Sequence, residues 1–289
     1  MQLIFHIGAH CTGQDRLIRS LLKNRDVLAH NGVAVPGPGR YRRTLAEVVD
    51  KLQGAPASAE TQDVILDAVL DFDAPQRIIL SNENFLCTPD NVLLGNMLYG
   101  EIAKSAWLPA TIPAAEPGFA LTLRNVATFL PALTERQEDT SVTEAALSDT
   151  DPLQLSWFET VHGLRQANPD APILVWCDED APLLWPEIMR TVAGVDETVP
   201  LTGDTDLIRT LLTDEGVDAM VDELTDDLTE TERFNILTAL IDEYAKEDEI
   251  EQEISLPDWT QDLIDDLTDA YDADVEKIAT LPDVTVLAP

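Results

Sequence analysis

The sequence predicts an α/β fold of three layers, in which helices cover both faces of a mainly parallel β-sheet. Five short and nearly continuous apolar runs are spread over the 289 residues, and amphipathic helical patterns separate most of them. Strands that are apolar along their whole length are typical of parallel sheets buried on both faces, and strand–helix alternation favours a layered α/β architecture. After residue 200 the chain changes to acidic helical sequence, which predicts a C-terminal helical region.

Each element is predicted from the periodicity of its apolar residues and from the glycine and proline residues that interrupt helices and strands. The predicted strands cover residues 3–7, 77–81, 119–123 and 173–176, and a late strand is expected at 284–287. Helices are predicted over residues 16–28, 44–52, 61–70, 155–166 and 183–192, and a loop over 32–39. After residue 200, three apolar stripes predict further helices, and Thr229-x-x-Glu232 is the pattern of a capping box. With no internal repeat or long linker, residues 1–289 are predicted to form one domain, with an α/β core over 1–200 and an acidic helical part over 201–289.

The net charge of −36 is unevenly distributed along the chain. Residues 201–289 contain 27 acidic and four basic side chains, whereas residues 1–43 carry a net charge of +5. So acidic a chain repels nucleic acid, and no basic stripe with interleaved aromatics is present, so nucleic-acid binding is not expected. Two explanations of the acidic excess stay open: a hydrated surface suited to salt or solubility, and an interface for a basic protein partner.

The chain shows no signal for a membrane, an export route or a disulfide framework. No apolar run approaches the ~18–20 residues of a membrane helix, and the N-terminus lacks the basic region of a signal peptide. The three cysteines are odd in number and far apart, which argues against disulfide or cysteine-rich metal sites. We therefore expect a soluble, cytoplasmic protein with neither a metal ion nor a membrane partner.

A glycine pair directly follows the first predicted strand and precedes the first predicted helix. Gly8 and Gly13 have the spacing of G-x-x-x-x-G-K-[ST], a loop whose backbone N–H groups hold phosphate at a helix N-terminus. Gln14 and Asp15 stand where that pattern has lysine and a hydroxyl. The spacing predicts a P-loop-like turn, but the side chains at positions 14 and 15 do not match those of an ordinary nucleoside triphosphatase.

The same segment carries a more specific likeness. The run His6-Ile7-Gly8-x-His10-x-Thr12-Gly13 resembles the donor loop H-I-G-x-H-K-T-G-T-T of bacterial sulfotransferase-like proteins. The likeness continues through residues 21–36 and returns loosely at Leu123-Arg124. It implies a fold that binds the sulfate donor PAPS, or its product PAP, without a metal. The residues that it assigns to the donor are Gly8, His10, Cys11, Thr12, Gly13 and Gln14, with Arg124 at the 3′-phosphate.

The departures from that family loop leave two functions open. Cys11 stands where the family has lysine, and Gln14 and Asp15 replace hydroxyl side chains. A carboxylate at a helix N-terminus would repel a phosphate, although Arg19, one turn further on, is expected to pair with Asp15. One function is a non-catalytic binding or scaffold protein with a decayed donor loop. The alternative is an active sulfotransferase that transfers sulfuryl to a hydroxyl or amine.

Three side chains near the loop are candidates for chemistry. His10 lies in the loop and could act as a base or hydrogen-bond donor, whereas His6 lies within a strand and is expected to be packed. Glu83 follows a strand end, where the resemblance suggests a base; the alternative is a cap on the next helix. Cys11 could be a reactive thiol near basic residues, although Asp15 opposes the thiolate.

Overall fold

The computed structural model describes residues 1–13, 15–136, 150–225, 228–250 and 259–289. Six strands form one sheet in which all neighbouring pairs are parallel, and two further strands form a small hairpin. The strands are β1 (Gln2–His6), β2 (Val33–Ala34), β3 (Arg77–Ser81), β4 (Leu93–Leu94), β5 (Met97–Leu98), β6 (Glu116–Leu123), β7 (Ile173–Cys177) and β8 (Val284–Leu287). The order in the sheet is β2-β3-β1-β6-β7-β8. The first strand is therefore central, and the turn after it opens between the ends of β3 and β6.

Helices connect the strands and cover the sheet. Their bounds are α1 (Arg16–Lys23), α2 (Arg25–His30), α3 (Arg42–Leu52), α4 (Ala59–Val69), α5 (Val126–Glu135), α6 (Trp157–Ala167), α7 (Ala181–Ala193), α8 (Ile208–Leu211), α9 (Asp214–Glu223), α10 (Glu230–Tyr244), α11 (Glu247–Ile250) and α12 (Gln261–Ile278). Short 3₁₀ turns occupy much of the chain between β3 and β6.

Buried apolar side chains lie on both faces of the sheet. On one face, Phe5 packs in a cluster with Phe129 of α5 and Leu267 of α12. On the other face, Trp176 packs in a cluster with α1 and with Ile188 of α7. The predicted three-layer α/β fold with a mainly parallel sheet is therefore confirmed. The helices α8 to α10 enclose a separate small cluster of buried side chains.

The C-terminal helical region is present where the sequence predicted it, with one break in the first stripe. The first of the three apolar stripes, predicted from Leu207 onwards, forms two helices, α8 and α9. The predicted capping box begins α10, because Glu232 N–H donates to Thr229 Oγ1 at 3.3 Å and Thr229 N–H donates to Glu232 Oε2 at 2.9 Å. No helix in the described part of the chain is long and apolar enough to cross a bilayer. The organisation as one domain stays a prediction.

Two local predictions are wrong. The helix predicted over residues 16–28 is divided at Asn24, whose Nδ2 donates to the carbonyls of Ser20 at 2.9 Å and Thr202 at 2.8 Å. The N–H of Thr202 also donates to Asn24 Oδ1 at 2.7 Å, so this side chain is fixed by a distant segment. The loop predicted over residues 32–39 contains β2, which pairs with Arg77 and Ile78 of β3. A strand of two residues is too short to show periodicity.

Candidate functional site

The turn after β1 depends on left-handed backbone at three positions. Gly8 has a φ of +98°, and a Cβ there would lie 3.3 Å from Glu83 Cα, so glycine meets both a conformational and a packing need. Gly13 has a φ of +51°. Cys11, with a φ of 58°, adopts a conformation uncommon for a residue with a side chain. Gln14 lies outside the described residues.

Hydrogen bonds fix this turn to the end of β6. The Ala9 N–H donates to the Thr122 carbonyl at 3.0 Å, and Thr12 Oγ1 donates back to the Ala9 carbonyl at 2.6 Å. Arg124 Nη1 donates to the Cys11 carbonyl at 2.6 Å, and its Nε donates to Thr128 Oγ1 at 3.0 Å. The guanidinium of Arg124 therefore lies against the loop, and part of its hydrogen-bonding capacity stabilises the loop itself.

His10 is fully buried, and both of its ring nitrogens have partners. Nε2 lies 3.0 Å from Asn84 Oδ1, which can only accept, so Nε2 carries the proton. Nδ1 then accepts from Tyr99 Oη at 2.9 Å, and the same hydroxyl accepts the His10 N–H at 2.9 Å. Burial lowers the pKa of His10. The ring is a neutral part of the loop's support, and the catalytic role stays a prediction that would require these bonds to open.

Glu83 forms a bidentate ion pair with Arg136. Arg136 Nη1 donates to Glu83 Oε2 at 2.8 Å, and Nη2 contacts Oε1. Burial alone would raise the pKa of Glu83, but the hydrogen bonds and charge of Arg136 hold it below the usual value. The cap on the following 3₁₀ turn is Asn82, whose side chain accepts the Asn84 N–H, so the capping role considered for Glu83 is wrong. As a base, Glu83 would first have to leave Arg136.

Two further expectations concern His6 and Asp15. His6 is packed as expected: its Nδ1 lies 2.8 Å from Ser81 Oγ, its ring stacks on Trp176, and burial lowers its pKa to about 4. The pairing of Asp15 with Arg19 is wrong. Asp15 Oδ1 lies 2.5 Å from Arg42 Nη2, and these hydrogen bonds lower the pKa of Asp15. The carboxylate makes no capping bond to α1 and instead accepts two hydrogen bonds from Arg42, the first residue of α3.

A cleft of about 940 Å³ opens beside the loop. Its walls come from the loop, α1, α5, the start of α7 and the C-terminal helices α8, α10 and α11. Three arginines line it: Arg16, Arg124 and Arg136. Arg16 is exposed and makes no side-chain hydrogen bond or ion pair with any residue that the structure describes. The cleft thus offers guanidinium groups next to the glycine loop.

Two carboxyl side chains that follow β7 also line the cleft. Glu179 accepts the Asn125 N–H at 2.8 Å and the Tyr271 hydroxyl at 3.1 Å, which joins α12 to the start of α5. Asp178 has no comparable partner in the described part of the chain, and burial raises its pKa to about 7, against the charge of Arg124. Asp178 is not among the site residues predicted from the sequence. Its position directly after a buried strand is the same signal that selected Glu83.

The structure brings Cys11, Gly13 and Arg124 of the predicted donor site to the cleft wall. Gly8 and His10 instead support the loop from within. Among the described residues, no group of three or more His, Cys, Asp or Glu side chains is placed to hold a metal ion. Comparison of the chain with protein-family models, curated proteins and solved structures finds no match.

Proposed function

We propose that the cleft binds PAPS or PAP and that the protein works by binding this nucleotide, without transferring the sulfuryl group. The observation that carries the proposal is Arg16, a guanidinium without a partner among the described residues, which lines the cleft beside Arg124 and the glycine loop. Guanidinium groups form paired, charge-assisted hydrogen bonds with phosphate and sulfate oxygens. The pairing of Asp15 with Arg42 also offsets a negative charge that would oppose such a ligand.

The state of the predicted catalytic groups supports binding without transfer. His10 is neutral and hydrogen-bonded at both nitrogens, and Glu83 is paired with Arg136. Burial raises the pKa of Cys11, which occupies the place of the family's lysine, so a neutral thiol faces the donor. None of these groups is arranged to move a proton or to stabilise a leaving phosphate. A binding or scaffold protein fits this arrangement.

Calorimetric titration with PAP tests the binding. We expect micromolar affinity for the wild type and a loss of about tenfold or more in Arg16→Ala, because one charged hydrogen-bonding partner is removed. Arg19→Ala is the matched control, since Arg19 is exposed on the same helix and does not line the cleft. Arg124→Ala should also lose binding. Because this variant removes a loop contact as well, Arg16→Ala is the decisive variant. No binding at millimolar PAP would overturn the proposal.

The second candidate is sulfuryl transfer, and the observation that favours it is Asp178. A carboxyl in the cleft with a pKa of about 7 has the properties of a general base. In such a reaction, the bond from sulfur to the phosphate oxygen breaks, a bond to the acceptor oxygen or nitrogen forms, and the acceptor proton passes to Asp178. PAP release from PAPS with hydroxyl and amine acceptors measures this. Turnover by the wild type that disappears in Asp178→Asn would replace the binding proposal.

A scaffold role requires a partner, and we propose a basic protein that contacts the acidic C-terminal helices. Residues 201–289 carry 27 acidic and four basic side chains, so the attraction would be electrostatic. Such binding weakens steeply as salt is added.

A further inference from the structure

Asp178 occupies a defined position in the cleft. It directly follows β7, and its N–H donates to the Leu123 carbonyl at 2.7 Å, which fixes it where β6 and β7 end. Its side chain lines the cleft together with Arg16 and Arg124. No hydrogen bond or ion pair to this carboxyl comes from the residues that the structure describes. The group is therefore held in place by its backbone, and its oxygens are available to a ligand.

Charged side chains of both signs line the cleft together with this carboxyl. They come from α1, the end of β6, α5, the segment after β7 and α11, and belong to Arg16, Arg124, Glu135, Arg136, Glu179 and Glu249. Burial and the charge of Glu179 favour the neutral acid, whereas Arg124 and Arg16 favour the carboxylate. Burial prevails, and Asp178 has a pKa of about 7. Near neutral pH both protonation states of the Asp178 carboxyl are therefore populated.

We propose that Asp178 takes up one proton when a fully ionised oxyanion, such as a sulfate group or phosphate ester, binds between Arg16 and Arg124. This inference rests on the proposed function and deepens it, because it names the residue whose protonation accompanies binding of the anionic group. The oxygens of such an anion only accept hydrogen bonds, and an ionised Asp178 would face them with like charge and no donor. Protonated Asp178 donates instead. The balance is one solvent proton added to one carboxylate per anion bound, with no covalent bond broken.

The sign of the pH dependence follows from this balance. A bound anion raises the pKa of Asp178 further, because it adds negative charge beside the carboxyl. Below about pH 7 the acid is already protonated, and affinity does not change with pH. Above that value each pH unit removes about tenfold in affinity, because a proton must be taken up.

Inorganic sulfate is the probe, because it stays a dianion throughout the range. Sulfate is titrated calorimetrically into the full-length protein between about pH 6 and 8.5, at constant ionic strength, in buffers of different ionisation enthalpy. We expect the affinity profile above and an uptake close to one proton at the alkaline end. Asp178→Asn should bind sulfate at every pH without proton uptake. Asp180→Asn is the control, since this neighbouring carboxyl does not line the cleft, and it should keep the wild-type profile.

The outcomes separate the inference from the proposed function. Wild-type binding of sulfate with no proton uptake and no pH dependence would overturn the inference and leave PAP binding standing. Proton uptake that persists in Asp178→Asn would also overturn it, since another group would be responsible. If the wild type binds neither sulfate nor PAP at any pH, both fail. Thermal unfolding checks the fold of each variant. If Asp178→Asn does not fold, the number of protons that the wild type takes up on binding sulfate tests the inference.

Discussion

Three titratable side chains at the carboxyl edge of the sheet differ in how available they are. His10 and Glu83 follow the sequence rules for loops and strand ends, yet their polar atoms are bonded within the protein. Their partners lie 53 to 89 positions away along the chain. Asp178 obeys the same strand-end rule and faces the cleft. Sequence position predicts which side chains reach this edge, whereas distant partners determine which of them stay open to a ligand.

The support of His10 by Tyr99 gives a prediction at this scale. Tyr99→Phe removes the hydroxyl that accepts the His10 N–H and lies 2.9 Å from Nδ1. We expect the free energy of unfolding to fall by about 2 kcal/mol, because two buried polar groups lose their partner. Urea unfolding measures it. Tyr244→Phe is the control, because the hydroxyl of Tyr244 hydrogen-bonds to its sequence neighbour Glu243, which raises the pKa of Tyr244. An equal effect in the two variants would contradict the arrangement described for His10.

At the scale of elements, local periodicity predicts the type of an element better than its ends. The strands β3 and β8 begin and end where their apolar runs do, at residues 77–81 and 284–287. The break between α1 and α2 could not be predicted, because Asn24 bonds to Thr202, 178 positions away. The same limit applies to the site. The glycine loop is visible in the sequence, while the cleft depends on how distant helices meet it.

The glycine loop itself gives the prediction for this scale. In Gly8→Ala, the new Cβ would lie 3.3 Å from Glu83 Cα, at a φ of +98° that alanine rarely adopts. We expect a loss of about 2 kcal/mol in unfolding free energy from backbone strain, together with weaker PAP binding. The control is Gly37→Ala, because Gly37 has a φ of −64° and no atom within 4 Å of the added carbon. Denaturation and calorimetry on the two variants measure both effects, and equal losses would contradict the role given to Gly8.

At the scale of the whole molecule, acidic side chains outnumber basic ones, 54 against 18, and the excess is largest after residue 200. Among the described residues, five of the ten ion pairs involve a base between Lys23 and Arg43, as in Lys23–Asp206 and Arg42–Asp15. Residues 201–289 contain 27 acidic and only four basic side chains, so this part of the sequence carries most of the net negative charge. On α12, Asp266, Asp269 and Asp272 are exposed one turn apart.

Self-repulsion of this charge predicts how stability depends on salt. Screening shortens the reach of the field from ~30 Å at about 0.01 M salt to ~3 Å at about 1 M. The melting temperature should therefore rise by about 5 °C or more over that range, because the compact state gains most from screening. Replacing Asp266, Asp269 and Asp272 by asparagine should raise the melting temperature at low salt and reduce its increase with salt, since like charges three residues apart on a helix destabilise it. Differential scanning calorimetry of both proteins measures this. A wild-type melting temperature that does not respond to salt would contradict self-repulsion, and the acidic surface would then be better explained as an interface for a basic partner.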